Sequence, residues 1–102
     1  MGKNRDRESL IRKIVNILSH EIVARHTNRP ESTHFLNSEI IEYRSDAEKT
    51  AETHNWNSAD KEYIKEKSLK KVIEKLKEKY SDVKYTEQEV IIKLKEIMNE
   101  MI

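Results

Sequence analysis

No cysteine occurs in the 102 residues, so neither a disulfide framework nor thiolate chemistry is available to this chain. One glycine and one proline are far below ordinary usage. Turn-rich β architectures need such residues at every reversal, and their scarcity argues against a sandwich or barrel. Long hydrophobic runs are missing too. The most apolar stretch, LIRKIVNILSHEIV at 10–23, is broken by Arg12, Lys13, Asn16, His20 and Glu21, and cannot cross a hydrocarbon core about 30 Å thick. The opening MGKNRDRESL lacks the apolar run and small-residue cleavage site of a secretory signal, so the expected location is cytoplasmic, with no membrane partner.

What is present is charge and helical periodicity. Charged residues make up 38% and hydrophobic residues 35%, in a length that suits one modest core. Leu10, Ile11, Ile14, Val15, Ile17, Leu18 and Ile22 form a broad stripe at 100° per residue, and Val23 falls outside it. A helix apolar on so much of its girth touches neighbours on more than one side, which predicts that the first helix is the centre of the core. Pro30 ends that run, and Ser32 or Thr33 can cap a second helix carrying Leu36, Ile40, Tyr43, Ala47 and Ala51 in phase. Past Arg44 this helix has no large apolar residue, so it either packs closely through its alanines or projects into solvent. Asn57 or Ser58 opens a third helix with Ala59, Tyr63, Leu69, Val72, Ile73, Leu76 and Tyr80 as its buried side. Thr86 and Glu89 have the spacing of a capping box for a fourth, with Val90, Leu94, Ile97, Met98 and Met101 on one face. The prediction is an all-α, four-helix antiparallel bundle, with three long helices and one short as its variant, in a single domain over residues 1–102.

A net charge of only +1 argues against a general nucleic-acid binder, but the charge is segregated. Residues 1–29 carry seven basic and three acidic side chains (+4), and residues 61–79 carry eight and four (+4). Residues 31–60 carry two and seven (−5), and residues 81–102 carry three and five (−2). One reading is that alternate helices complement each other along their edges. The other is a phosphate-binding surface made by Arg5, Arg7, Arg12 and Lys13 with Lys67, Lys71 and Lys75, against which Glu74 and Glu78 stand beside the lysine row.

The segment RHTNRPESTHF at 25–35 concentrates two histidines, two arginines and the proline. Arg29 precedes His34 by four intervening residues, which resembles the R-x4-6-H motif of HEPN-type ribonucleases, all-α domains whose paired subunits bring two such motifs together. That resemblance implies that His34 would move protons at a ribose hydroxyl and Arg29 would hold the scissile phosphate. In that family the motif lies late in the bundle; here it follows the first helix, and a proline succeeds the arginine. His20, His26, His34 and His54 never stand three or four apart, so no helical metal site is expected, and no cofactor or small-molecule substrate is inferred. The sequence therefore favours a non-enzymatic helical module that binds a protein partner or a second copy of itself. Its candidate surface is the distal second helix, Trp56 and the apolar C-terminal edge, Met98, Met101 and Ile102. The first role expected of Trp56, however, is a lid that closes the bundle end between the second and third helices. A nucleic-acid binder is the alternative, and a HEPN-like ribonuclease the second alternative.

Overall fold

The computed structural model describes residues 2–26, 30–81 and 84–102, with side chains for all of these except residues 2 and 30–39. Four helices follow one another: α1 (Gly2–His26), α2 (Pro30–Ala51), α3 (Ser58–Lys79) and α4 (Glu87–Met101). Side-chain contacts fix their directions. Asp6, Lys13 and Glu21 of α1 meet His54, Thr50 and Arg44 in descending order, so α2 runs antiparallel to α1. Arg7, Glu8 and Asn16 meet Asp60, Tyr63 and Lys75 in ascending order, so α3 runs parallel to α1. His26 meets Glu89, which starts α4 at the far end of α1 and sends it back. The result is an up-down-up-down four-helix bundle.

It is not a square one. Among the described residues α1 packs against all three other helices, whereas α2 and α3 do not pack against each other although they are consecutive. α1 lies between them because Leu10, Ile11, Ile14, Ile17, Leu18 and Ile22 are completely buried and, with Val15, Ser19 and Val23 also buried, the covered side extends over more than half of its circumference. The 42 Å long axis of the molecule follows from α1, whose 25 residues span about 37 Å at about 1.5 Å per residue.

The distal part of α2 packs rather than projects. Ala47 and Ala51 are buried, and their small side chains admit the α1 backbone closely. The helix begins at Pro30, ahead of Ser32 and Thr33, because a proline in the first turn lacks only a donor that would be unpaired there anyway. In α3 the buried side differs from the one expected. Asp60, Ile64, Ser68, Val72 and Leu76 point inward, Ala59 is exposed, and Tyr63, Leu69, Ile73 and Tyr80 flank the row half-buried. A strict four-residue spacing drifts around a helix, so this row follows an i±4 ridge across α1 instead of one straight face. Glu66, between Tyr63 and Leu69 in sequence, falls off this row and remains exposed.

Both later helices are capped by side chains. Asn57 Oδ1 accepts from the Asp60 amide at 2.8 Å, and Asp60 Oδ2 accepts from the Asn57 amide at 3.4 Å, a complete capping box. Thr86 Oγ1 accepts from the Glu89 amide at 3.1 Å, but the Glu89 carboxylate turns away to His26, leaving that box half made. Asn57→Ala should therefore cost about 1 kcal/mol, within a range of about 0.5–2 kcal/mol. Thermal melting checks this as a fall of roughly 4–8 °C per kcal/mol for a domain of this size.

Candidate nucleic-acid interface

The parallel packing of α1 and α3 sets two rows of side chains edge to edge. On α3, Lys67, Lys71, Lys75 and Lys79 follow one another every four residues, the first three each immediately before a residue of the inward-facing side. Successive ammonium groups are thus offset by about 6 Å along the helix. On α1, Glu8, Arg12 and Asn16 share a face at the same spacing. Glu8 accepts from the Tyr63 hydroxyl at 2.8 Å, and Asn16 Oδ1 accepts from Lys75 Nζ at 3.0 Å. Arg12, midway between them, therefore stands opposite Lys67 and Lys71, and Arg5 lies about two turns before Arg12 on the same face.

Arg5, Arg12, Lys67, Lys71 and Lys79 form no ion pair among the described residues, and Arg5, Arg12, Lys67 and Lys71 are exposed. Lys75 is half-buried against Asn16; that burial, and secondarily the neighbouring charge of Lys79, lowers its pKa. Glu74 and Glu78, on the outer side of α3, reach none of these lysines within ion-pair distance. The two most basic segments of the chain thus lie side by side, with Glu8, whose carboxylate accepts from Tyr63, standing between Arg5 and Arg12 on the α1 row.

Of the seven cations proposed from the sequence for this surface, five converge: Arg5, Arg12, Lys67, Lys71 and Lys75. Arg7 does not, because its guanidinium lies 4.0 Å over the Tyr63 ring and bonds Asp60 at 3.4 Å. Lys13 leaves on the opposite side of α1, donating to Thr50 Oγ1 of α2 at 2.7 Å. Lys79 joins the row and was missed, although its spacing from Lys75 continues the series.

The inward pair at the foot of this face has its own electrostatics. Asp60 is buried, and the hydrogen bond from Lys3 at 2.8 Å, opposed by desolvation and helped by the Asn57 amide and Arg7, holds its carboxyl below the ordinary 3.8. A carboxylate whose folded pKa is depressed stabilises fully above its unfolded value, and that contribution is lost as pH falls through the lower folded value. Urea titrations between neutral pH and pH 3 should show stability falling below about pH 3.8, with Asp60→Asn flattening that acid limb. An unchanged acid limb in the variant would remove Asp60 from this role.

The other sequence candidates are placed differently. Trp56 is half-buried: its Nε1 donates to the Ala51 carbonyl at 2.8 Å, the His54 ring meets it edge-on at 5.5 Å, and Lys3 Nζ is 5.9 Å from it. It closes the end of the bundle where the α2–α3 link passes α1. Met98 is 8% exposed and part of the core, and Met101 and Ile102 pack half-buried against it. Among the described residues the large apolar side chains left in solvent are Ile41, 70% exposed, and Ile92, 48% exposed. Ile92 lines an open cavity of about 840 Å³ between α1, α2 and α4, together with Ile40, Ala24, Glu21, Glu89 and Glu96. Arg44 spans its neighbourhood, bonding Glu21 at 2.6 Å and also Glu100. Burial opposes the arginine's charge, but those two carboxylates outweigh it and raise its pKa.

Arg29 lies outside the described residues, and His34 falls in α2 with its side chain outside them. The remaining histidines are dispersed. His20 Nδ1 meets the Asn16 carbonyl at 2.7 Å, His26 meets Glu89 at 2.8 Å, and His54 meets Asp6 at 2.6 Å. No group of three potential metal ligands forms among the described residues, and none of the described helices is long and apolar enough to cross a membrane. No protein-family model, curated protein or solved structure matches the chain.

Proposed function

We propose that the protein is a small, non-enzymatic, cytoplasmic helical module that binds nucleic acid through its sugar-phosphate backbone along the α1–α3 face. The observation carrying this reading is the parallel contact of α1 and α3, which sets Arg5 and Arg12 beside Lys67, Lys71, Lys75 and Lys79. Lysines without an ion-pair partner among the described residues, repeated at about 6 Å, suit a polyanion, whose condensed counterions are released on contact. A phosphate next to Lys75 also compensates the desolvation and like-charge repulsion that lower its pKa. Base-specific reading is not part of the proposal, since straight parallel helices present no turn that would aim one of them into a groove.

The test is fluorescence anisotropy of a labelled 20-base-pair duplex and of a labelled single strand, titrated with the full chain across a salt series. Binding at low salt that weakens steeply and log-linearly with salt is expected. A flat salt response, or no binding at low salt, overturns the proposal.

A second reading is supported by the α1–α2–α4 cavity. Ile92 is exposed on its wall among side chains of both signs, Glu21, Glu89 and Glu96 with Arg25 and Lys93, and Ile41 is exposed on α2 outside that lining, which suits a protein partner laying an amphipathic helix with mixed charges there. An Ile41→Asp, Ile92→Asp double variant that retains the same partners as the wild type in a pull-down removes this reading.

A further inference from the structure

The opposite edge of α3 carries a second cationic feature, independent of the lysine row. Where the first turns of α3 cross the last turns of α4, Lys61, Lys65 and Lys95 surround a cavity of about 360 Å³ whose floor includes Met98 and Ile102. The size falls within the usual range for small-molecule sites, about 300–1,000 Å³. One carboxylate, Glu62, shares the lining, and it approaches only Lys65, at 3.9 Å, the long limit of an ion pair. Lys61 and Lys95 have no anionic partner among the described residues, so the lining retains an excess of two positive charges (three lysines against one glutamate). The start of α3 and the end of α4 meet at this spot, and their opposite partial charges offset, so the cationic character rests on the lysines.

Cations around an apolar floor define a ligand with both characters. An inorganic anion would use the lysines and leave the Met98 and Ile102 surface wet, whereas a neutral hydrocarbon would cover that surface and leave the ammonium groups without a counter-charge. We propose that this cavity binds a small amphiphilic anion, a carboxylate or phosphate monoester on a single apolar chain. The headgroup is held by Lys61, Lys65 and Lys95, and the chain lies on Met98 and Ile102. Such an anion can come as a free fatty acid or as the headgroup of a membrane lipid.

The experiment is an amide NMR titration of the full chain with sodium decanoate below its micelle concentration, set against acetate and decanol. Decanoate should shift the amides of Lys61, Lys65, Lys95 and Ile102 saturably, with an affinity at least about tenfold above either control. A Lys61→Glu, Lys95→Glu double variant should lose about tenfold or more in affinity while the rest of its spectrum is unchanged, and Lys71→Glu on the other edge of α3 should bind as the wild type does. Should the double variant not fold, Ile102→Asp, at the half-buried C-terminal end, serves in its place with the same expected loss. Co-sedimentation with phosphatidylglycerol-containing vesicles that the double variant abolishes assigns the anion to a lipid surface; decanoate binding without co-sedimentation assigns it to the free acid. Equal shifts by acetate, equal shifts by decanol, or decanoate shifts centred elsewhere each overturn the proposal.

Discussion

Leu18→Ala should destabilise the protein by about 2–5 kcal/mol, the largest loss expected from any single truncation. Leu18 is completely buried near the middle of α1, the one helix that touches the other three. Removing its isobutyl group forfeits transfer free energy and opens a space that neighbours on three sides cannot all move to fill. Domains of this size are stable by only about 5–15 kcal/mol, so the variant should be marginal at physiological temperature. Urea denaturation should show a lower midpoint with an unchanged slope, and melting roughly 10–30 °C lower. Ile92→Ala is the counterpart: half-exposed on α4, it should change stability by no more than about 0.5 kcal/mol. A Leu18→Ala loss as small as that of Ile92→Ala would mean that α1 is not the common wall of the core.

The central position of α1 was legible in the sequence because it depends on one segment's own pattern. A broad stripe with a further apolar residue, Val23, outside it is not satisfied by a single neighbour. The caps at Asn57 and Thr86 were legible for the same reason, being settled within four residues of chain. What was not legible is relational. The phase of α3 was misjudged because Tyr63 and Ala59 look more apolar than Asp60 and Ser68. Yet Asp60 is admitted inward by Lys3 and Arg7, which no window of α3 contains. Likewise Met98, Met101 and Ile102 read as an apolar edge from the sequence, and only the return of the fourth helix shows Met98 in the core with the other two against it. Trp56, by contrast, was expected as a lid, and it donates to the Ala51 carbonyl at the bundle end. The adjacency of the two basic helices was also hidden. An antiparallel bundle read from loop lengths pairs consecutive helices, and nothing local in α2 announces that it leaves α3 to α1.

That adjacency is where the second large effect is expected. If six cations, Arg5, Arg12, Lys67, Lys71, Lys75 and Lys79, each neutralise one phosphate of a duplex, the logarithm of affinity should fall with the logarithm of salt at a slope of about −5. That is a loss of about 10³-fold between roughly 50 and 200 mM salt. An Arg12→Ala, Lys71→Ala double variant removes two exposed, unpaired charges that no core contact needs. Its slope should be shallower by about 2, and its low-salt affinity lower by about 10²-fold. Lys13→Ala is the control, since its ammonium is committed to Thr50 on the far side of α1 and its removal should leave the slope unchanged. Glu74→Gln with Glu78→Gln should act in the opposite direction and tighten low-salt binding, because those carboxylates flank the lysine row without neutralising it. The three outcomes together separate a located face from mere net charge. Double and control variants with the same slope would mean that the α1–α3 rows do not contact phosphate, and the charge segregation would then be a property of the solvated surface alone.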